Sequence, residues 1–472
     1  MNQPKHMKTL QDKLNEVDNL VDFLYSNKKG SPSSDSVLRQ PPPHVQPEYT
    51  SWRDEQNAWR DTVAFYNQSY HMISTVVRGP DAKALIQSLA VNNLDAFGVG
   101  KARHYIACGY DGNVVGDGIL FCQAENEIEL VGRAAGHKWL QFHAETGGWD
   151  VTLENDEIFS QNQDGKRRVY RYQVEGPRAV ALLEELNGAP LPDQPRTKIV
   201  EMTIAGHKVS GFRMAMAGGA GYEIWGPWDE GADVKDAILE AGKAFDIRHV
   251  GAFAYFSTAL EIGWIPRPMH AIYTGDEMRA FREWLPSTAN EVKWSLGGSL
   301  YRENIEDYYF NPYELGYGHL VKFDHDFIGR EALEKIANQT HRKKVALMWE
   351  PSDVQDIVGS YMDTDQLPAL YVNAPMSNYA NWQYDAVEDA DGKTIGAAVY
   401  TGFSWNARRM MSTAVIDAEH AVPGTKLTLV WGEPDGGAKS APWIEPHRQV
   451  KVTVTVAETP IDKGNGAGRG VK

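Results

Sequence analysis

The chain has 472 residues, of which 42% are hydrophobic and 23% charged, and its 47 Lys and Arg against 63 Asp and Glu give a net charge of −16. At roughly 100–200 residues per domain, this length predicts about three domains. The negative charge argues against nucleic acid or an anionic membrane surface as the main partner, because both need concentrated Lys and Arg.

The N-terminal 48 residues predict a helix followed by a proline-rich arm. Apolar residues recur there at helical spacing, at Leu10, Leu14, Val17, Val21 and Leu24. Three consecutive prolines then exclude a helix within 28–46. The first 25 residues carry charges throughout and lack the apolar core of a signal peptide, and no run of about 18 uncharged apolar residues follows. We therefore expect a cytoplasmic protein without a membrane span.

From Tyr49 onward, helical and strand patterns alternate as in an α+β region, here residues 49–341. The predicted elements are, in order, a helix at 55–66, a strand at 70–77, a helix at 81–90, a hairpin of 105–108 and 114–121 turned at Asp111-Gly112, a strand at 128–131 and a helix at 135–146. A second round begins with a strand at 168–174, a Gly176-Pro177 turn and a helix at 179–186. Because 76–79 leads into the helix from Asp81 in the same way, we expect two related α+β halves, about 49–165 and 166–341.

The character changes after Arg342, where short strands follow one another with no strong helix between them. They are predicted at 344–349, 394–400, 411–416, 426–430 and 450–456. This pattern is typical of an all-β domain, placed at 342–457, with a flexible tail at 458–472.

A search for cofactor and catalytic motifs excludes several classes of enzyme. There is no GxGxxG opening a helix, no GxxxxGK[ST], no GxSxG and no HExxH. The two cysteines, Cys108 and Cys122, are too few for a disulfide scaffold or a cysteine-rich metal site, and the 14 His lack ligand spacing. No metal is therefore expected, and the residues alone indicate an acidic α+β protein with a β-rich C-terminal domain.

Several motifs follow the order of the aminomethyltransferase (T-protein) family. They are Arg78-Gly79-Pro80-Asp81-Ala82, Val91-Asn92-Asn93, Gly100–Tyr105, Asp111–Asp117, the segment Gly218-Gly219-Ala220-Gly221-Tyr222-Glu223-Ile224, and the region Asn311–Gly318 with Val321–Asp324 and Asp326–Leu333. The chain resembles this family from about Tyr49 to Val456. The resemblance implies an α+β, folate-binding fold of two related α+β segments, followed by a C-terminal β-barrel-like domain.

The chain is most similar to one branch, the tetrahydrofolate-dependent aryl O-demethylases of lignin-derived vanillate, 3-O-methylgallate and syringate. The shared motifs are Gln68–Met72, Gly116–Ile119, Val131–Ala134, Glu223–Pro227, Gly263–Pro266, Ala271–Asp276, Glu283–Pro286 and Asn304–Tyr309. Within Gly251–Gly263, Tyr255 replaces an arginine of the aminomethyltransferases. A weak phenolic acid in place of a permanent cation fits an aryl ether substrate and argues against glycine cleavage.

The resemblance implies that a methyl group moves from an aryl ether to N5 of tetrahydrofolate, with a phenolate as the leaving group. The protein must align the two partners and supply a proton donor. Tyr255 is the predicted donor to the ether oxygen, and His71 and Gln68 are predicted to bind the neighbouring hydroxyl and methoxy groups. Arg133 suits a benzoate carboxylate, although a buried arginine equally suits an acidic partner of the chain.

Three residues are predicted to hold the folate. Glu223 fits the amino-pyrimidine edge of the pterin, because its two oxygens match adjacent N–H groups. Asp117 matches the family's acid near the reacting nitrogen, unless it only caps the hairpin. Trp264 stacks on the pterin or packs beside it. The basic residues for the anionic tail cannot be named from the sequence, yet two anionic ligands require a locally positive cleft.

Alternative functions on the same fold remain open. They are a sulfonium demethylase, a methylene transferase acting on a methylenedioxy aryl ring, an aminomethyltransferase, a non-catalytic folate-binding protein, and the folate-binding part of a larger flavin oxidase. The segment 40–45 lacks the aromatic residue that this branch places near its substrate. The number of ring methoxy groups and the oligomeric state therefore stay undetermined.

Overall fold

The computed structural model describes residues 7–26, 45–157, 166–193, 195, 197–289, 295–436 and 444–460. The single predicted N-terminal helix is wrong in its extent, because two short helices occur, α1 (Leu10–Leu14) and α2 (Leu20–Ser26). The second helix has its own start, since Asn19 Oδ1 accepts a hydrogen bond from the Asp22 backbone N–H at 3.0 Å. The proline-rich arm falls on 27–44 and lies outside the described residues.

The first sheet carries the predicted hairpin and two helices. Its elements are β2 (Ile73–Arg78), α4 (Ala82–Leu89), β3 (Lys101–Cys108), β4 (Val114–Ala124), β5 (Glu127–Gly132), α5 (Ala134–Thr146) and β6 (Thr152–Asp156). The five strands pair antiparallel in the order β3-β4-β5-β2-β6.

The second sheet has six strands in the order β11-β1-β7-β10-β9-β8. It is formed with its helices by α3 (Trp52–Asp61), β1 (Val63–Asn67), β7 (Val169–Glu175), α6 (Ala179–Asn187), β8 (Ile199–Ile204), β9 (His207–Phe212), β10 (Gly221–Pro227), a 3₁₀ turn at Trp228–Glu230, α7 (Gly231–Gly242), a 3₁₀ turn at Lys243–Phe245, β11 (Ile247–Val250) and α8 (Ala252–Ile262).

One strand of the second sheet corrects two sequence expectations. The helix predicted at 55–66 ends at Asp61, because the apolar residues from Val63 to Tyr66 are fully buried as β1 between β11 and β7. This strand precedes the first sheet in the chain but pairs within the second. The boundary predicted at 165 therefore does not separate the two sheets cleanly.

The strand–Gly-Pro–helix recurrence has the same backbone geometry in both halves. Gly79 and Gly176 have φ angles of +138° and +124°. A β-carbon would lie 2.2 Å from the Asp150 carbonyl oxygen at the first and 2.5 Å from the Thr62 carbonyl oxygen at the second. Only glycine fits such a position. This shared requirement supports the prediction of two related α+β segments.

The region after α8 links the two sheets to the C-terminal domain. Its regular elements are α9 (Arg279–Trp284), β12 (Leu296–Gly297), 3₁₀ turns at Ile305–Tyr308 and Gly318–Leu320, and α10 (Arg330–Ile336). Its apolar side chains share one core with the first sheet, and α1 joins it through the hydrogen bond from Leu10 N–H to the Leu285 carbonyl at 2.8 Å.

The predicted C-terminal β domain is a closed barrel with strand order β13-β17-β16-β15-β18-β19. The elements of this region are β13 (Lys343–Trp349), α11 (Pro351–Ser360), β14 (Trp382–Gln383), β15 (Asp385–Glu388), β16 (Thr394–Ser404), β17 (Arg409–Ile416), a 3₁₀ turn at Ala418–His420, β18 (Lys426–Trp431) and β19 (Val450–Ala457). The expectation of no strong helix was wrong at α11, which begins with Pro351, a residue favoured in a first helical turn.

The barrel packs directly against α8. The Tyr400 hydroxyl donates to the Phe256 carbonyl at 2.7 Å, and Ser404 Oγ donates to Glu261 Oε1 at 2.6 Å. The barrel thereby fixes the helix that carries Tyr255. No helix among the described residues is long and apolar enough to cross a membrane.

Candidate active site

Three of the predicted substrate-binding residues meet around one hydroxyl group. Tyr255 lies in the first turn of α8, while Gln68 and His71 follow β1. The Tyr255 hydroxyl lies 2.9 Å from His71 Nε2 and 3.4 Å from Gln68 Nε2. Gln68 is 1% exposed, and its Oε1 atom is buried without a partner. These contacts bring a helix and a loop some 184 residues apart in sequence into one polar cluster.

The protonation of this cluster follows from burial and charge. Burial, together with the charge of Arg133, lowers the pKa of His71 to about 3, so the imidazole is neutral near pH 7. Burial raises the pKa of Tyr255 above its ordinary value, so its hydroxyl keeps its proton. A hydroxyl accepts two hydrogen bonds and donates one. In the His71 tautomer that carries its proton on Nε2, both Gln68 and His71 donate to the Tyr255 oxygen, and the Tyr255 proton is then left for a ligand.

Arg133 supplies positive charge to this cluster. It is the residue before α5, and its guanidinium carbon lies 5.9 Å from the centre of the Trp264 ring. Burial lowers the pKa of Arg133 to about 10, and the nearby charge of Arg267 adds to this effect. No ion pair joins Arg133 to an acidic residue in the part of the chain that the structure describes. The guanidinium is therefore available to an anionic ligand.

Asp117 belongs to a second polar network, which it forms with Tyr317, Trp264 and His104. The Tyr317 hydroxyl donates to Asp117 Oδ2 at 2.9 Å and accepts from Trp264 Nε1 at 3.1 Å. His104 Nε2 lies 3.6 Å from the same carboxylate oxygen. Burial raises the pKa of Asp117, but His104, Tyr317 and Arg133 outweigh it, so the pKa lies below its ordinary value. Asp117 is thus an anion at neutral pH.

Glu223, on β10, is held by a buried arginine. Arg171 Nη1 donates to Glu223 Oε1 at 2.5 Å, and the Arg171 guanidinium lies over the rings of Phe121 and Trp225 at 5.1 Å. No described residue hydrogen-bonds Glu223 Oε2. Gln173, directly opposite Glu223 in the sheet, also has a buried Oε1 without a partner. Two adjacent acceptors are therefore left for the N–H groups of a ligand.

The predicted residues form one site around Arg133. Its positive charge lowers the pKa values of His71, Tyr255 and Asp117, whereas the negative charge of Glu223 raises the pKa of Tyr255. The structure adds three residues that sequence reasoning did not single out, namely Tyr317, Arg267 and Lys344. Tyr317 stands inside a quoted motif and Arg267 directly follows one, so both carried a signal. Lys344 carried none, because only tertiary packing brings the start of β13 against the turn at Gly316, next to Tyr317.

A small apolar cavity adjoins the Tyr255 hydroxyl cluster. His71, Tyr255 and Phe256 line one side of it, with Asn67; the remaining walls are Val45, Val250 and Ala252. It has room for about one water molecule. No group of three or more His, Cys, Asp or Glu able to hold a metal occurs among the residues described.

Comparison with known proteins identifies the family. Residues 36–268 match the GCVT N-terminal domain model. The chain is 42% identical over 453 residues to a syringate O-demethylase of Sphingobium sp. strain SYK-6, covering 96% of each chain. The chain belongs to the aminomethyltransferase family. It is also 30% identical over 422 residues to a sesamin methylene transferase of Sinomonas sp., covering 86% of this chain and 88% of that one.

More distant family members share the fold. An aminomethyltransferase of Streptomyces avermitilis is 25% identical over 382 residues, covering 80% of this chain and 84% of its own. The crystal structure of aminomethyltransferase T from Bartonella henselae superposes with a TM-score of 0.57 at 16% identity, over 88% of this chain and 90% of that one. The family and the fold class expected from the sequence are therefore confirmed, whereas the roles of individual site residues stay predictions.

Proposed function

We propose that the protein is a tetrahydrofolate-dependent O-demethylase, which transfers the methyl group of a methoxylated aromatic acid to N5 of tetrahydrofolate. The products are 5-methyltetrahydrofolate and the free phenol. The observation that carries the proposal is the buried Tyr255 hydroxyl in contact with His71 and Gln68, within reach of the charge of Arg133, which has no ion pair among the described residues. The relative named as a syringate O-demethylase supports the same reaction.

Each residue around the hydroxyl cluster has a distinct task. Arg133 binds the carboxylate of the aromatic acid and so fixes the ring along the cleft. Neutral His71 and Gln68 orient Tyr255, whose proton moves onto the phenolic oxygen as the bond from that oxygen to the methyl carbon breaks. Such proton donation contributes roughly 10²–10⁴-fold to a rate. Overall, the amine proton of the acceptor replaces the methyl group on the phenol.

The residues on the other side of the cleft fit tetrahydrofolate. The free acceptors of Glu223 and Gln173 suit the adjacent N–H groups of an amino-pyrimidine ring. When bound there, the folate supplies the amine nucleophile. Trp264 offers an indole face beside it, and ionised Asp117 faces the amine, where it stabilises the positive charge that develops on methyl transfer.

The small cavity favours a substrate with two methoxy groups. Syringate carries one methoxy group on each side of its phenolic hydroxyl, so when one ether faces Tyr255 the second methoxy group lies beyond the hydroxyl, and we place it at the cavity. The cavity walls at Val45, Val250 and Ala252 are apolar, and the cavity adds about one water molecule's worth of space beside the ring. Val45 is the last residue of the segment 40–45, which contains no Phe, Tyr or Trp. We therefore expect syringate to be preferred over vanillate.

An isotope experiment tests the reaction directly. Purified protein is incubated anaerobically with tetrahydrofolate and with syringate, vanillate or 3-O-methylgallate carrying CD₃ ethers. Mass spectrometry should find 5-methyltetrahydrofolate that is three mass units heavier, together with the demethylated phenol. Absence of labelled methylfolate with all three aryl ethers would refute the proposal.

Parallel reactions separate the remaining alternatives. Dimethylsulfoniopropionate tests whether the protein is a sulfonium demethylase. A methylenedioxy aryl lignan tests whether it is a methylene transferase, as the relative named sesamin methylene transferase is. An aryl ether demethylase should leave both unchanged. Methylenetetrahydrofolate from the lignan, with no labelled methylfolate from the aryl ethers, would establish the alternative.

A further inference from the structure

One lysine of the barrel lies near the network of Asp117, Tyr317 and Trp264. Lys344 is the second residue of β13 and is half-buried, whereas its neighbour Lys343 points the other way and is exposed. The end of its side chain lies against the turn before Tyr317. Its Cε and Nζ atoms are 3.5 Å from the position that a β-carbon on Gly316 would occupy. Gly316 has a φ of +84°, so glycine both forms this turn and leaves space for the lysine.

The Lys344 ammonium has no acidic partner among the described residues, although acids lie nearby. Asp117 already accepts from the Tyr317 hydroxyl at 2.9 Å, and Glu314 accepts from Arg342 Nε at 2.6 Å. Burial lowers the pKa of Lys344 to about 8, and the charge of Asp117 opposes this change. The side chain is therefore still mostly protonated at pH 7. A partly dehydrated cation without a partner is costly, and an anionic ligand would offset that cost.

The position of Lys344 suits the aminobenzoylglutamate tail of the folate. In tetrahydrofolate the carbon that bears the aminobenzoylglutamate tail is bonded directly to the reacting nitrogen. Lys344 lies against Gly316, which directly precedes Tyr317, and the Tyr317 hydroxyl donates to Asp117. Since Asp117 serves the reacting nitrogen in the proposed reaction, Lys344 is on the side of the site where the tail begins. The tail carries a benzoyl carbonyl and two carboxylates, and the chain as a whole has a net charge of −16. A local cation is needed to bind such a ligand.

We propose that the Lys344 ammonium binds the anionic aminobenzoylglutamate tail of tetrahydrofolate from the barrel side of the cleft. This inference rests on the proposed function, because it takes tetrahydrofolate as the ligand. It assigns to the C-terminal barrel a direct part in folate binding. Arg133 and Lys344 then divide the two anions between them, with the aromatic carboxylate on the first and the folate tail on the second.

The test compares two ligands with the same ring system, of which only one has the tail. Dissociation constants for tetrahydrofolate and 6-methyltetrahydropterin are measured by anaerobic calorimetry on the full chain and on Lys344→Met. A lost hydrogen bond to a charged group should weaken tetrahydrofolate binding about 10- to 100-fold. Binding of 6-methyltetrahydropterin should stay within about twofold of wild type.

Two further variants keep the result interpretable. Lys343→Met removes a charge from the same strand on its exposed side and should leave both dissociation constants unchanged. Lys344→Arg keeps the charge and should restore most of the tetrahydrofolate affinity, which also covers the case in which the Met variant fails to fold. An equal loss of affinity for both ligands would mean that Lys344 acts on pterin binding through Asp117, and it would overturn the inference. No loss of affinity for either ligand would also overturn it.

These outcomes are separate from those of the proposed function. The affinities concern binding alone, and the labelled methyl transfer from aryl ethers is measured on wild type. Tail-selective loss in Lys344→Met without methyl transfer in wild type would refute the function and leave the lysine assignment standing. Methyl transfer by wild type without tail-selective loss in Lys344→Met would support the function and refute the lysine assignment.

Discussion

The sharpest prediction concerns Tyr255→Phe, which removes one hydroxyl and keeps the ring. In the folded protein the change takes away the 2.9 Å contact with His71 Nε2 and the 3.4 Å contact with Gln68 Nε2. Leaving such groups unpaired costs about 1–3 kcal/mol of folding free energy. The variant should therefore fold, with a modestly lower unfolding midpoint.

The effect on the reaction should be much larger than the effect on stability. Loss of the proton donor should lower kcat about 10²–10⁴-fold, which is about 3–5 kcal/mol of transition-state free energy. Binding of tetrahydrofolate should change little, because its proposed contacts lie on Glu223, Gln173 and Trp264. Single-turnover reactions with CD₃-labelled syringate, quenched and analysed by mass spectrometry, give the rate of methyl transfer, and calorimetry gives the folate dissociation constant.

A second tyrosine provides the matched control. Tyr172 is buried on β7, and its hydroxyl donates to the Gly231 carbonyl at 2.8 Å, away from the hydroxyl cluster. Tyr172→Phe should lose similar stability while keeping its rate of methyl transfer within about threefold of wild type. If Tyr255→Phe also keeps its rate, or loses rate and folate affinity in equal measure, the reasoning that makes Tyr255 the proton donor is refuted.

Three further predictions follow from the site and the core. Arg133→Met should raise KM for syringate about 10-fold or more and leave the folate dissociation constant unchanged, whereas an unchanged KM would remove the carboxylate contact. Val45→Phe should fill the cavity beside His71, so kcat/KM should fall for syringate far more than for vanillate, and equal losses would contradict the second-methoxy pocket. His137 is buried with its pKa lowered to about 3, so only the unfolded chain takes up its proton between pH 6.5 and 3, and its contribution to stability is lost as pH falls through that range. Denaturant unfolding of wild type against His137→Gln should show the difference in unfolding free energy falling by about 1.4 kcal/mol per unit between pH 6 and 5; a constant difference would contradict the burial argument.

Local sequence patterns determined most of the regular elements. The hairpin of β3 and β4, with its Asp111-Gly112 turn, and the two strand–Gly-Pro–helix units are encoded by residues close together in the chain, and they occur where they were predicted. One failure has a tertiary cause. Residues 63–66 continue the predicted helical pattern but become a strand, because β7 and β11 on either side provide backbone partners that no local signal reveals.

For the site, sequence motifs named the residues, and the tertiary structure decided their partners. The pairing of His71 with Tyr255 and of Tyr317 with Asp117 joins residues 184 and 200 positions apart. Lys344 lies against the turn at Gly316 only because the barrel packs against α8 and that turn. Side-chain chemistry is a property of each residue, but protonation state and available hydrogen bonds depend on burial and neighbouring charges. Those are set when distant segments pack together, so the sequence determined which groups the site contains and the fold decided what each of them can do.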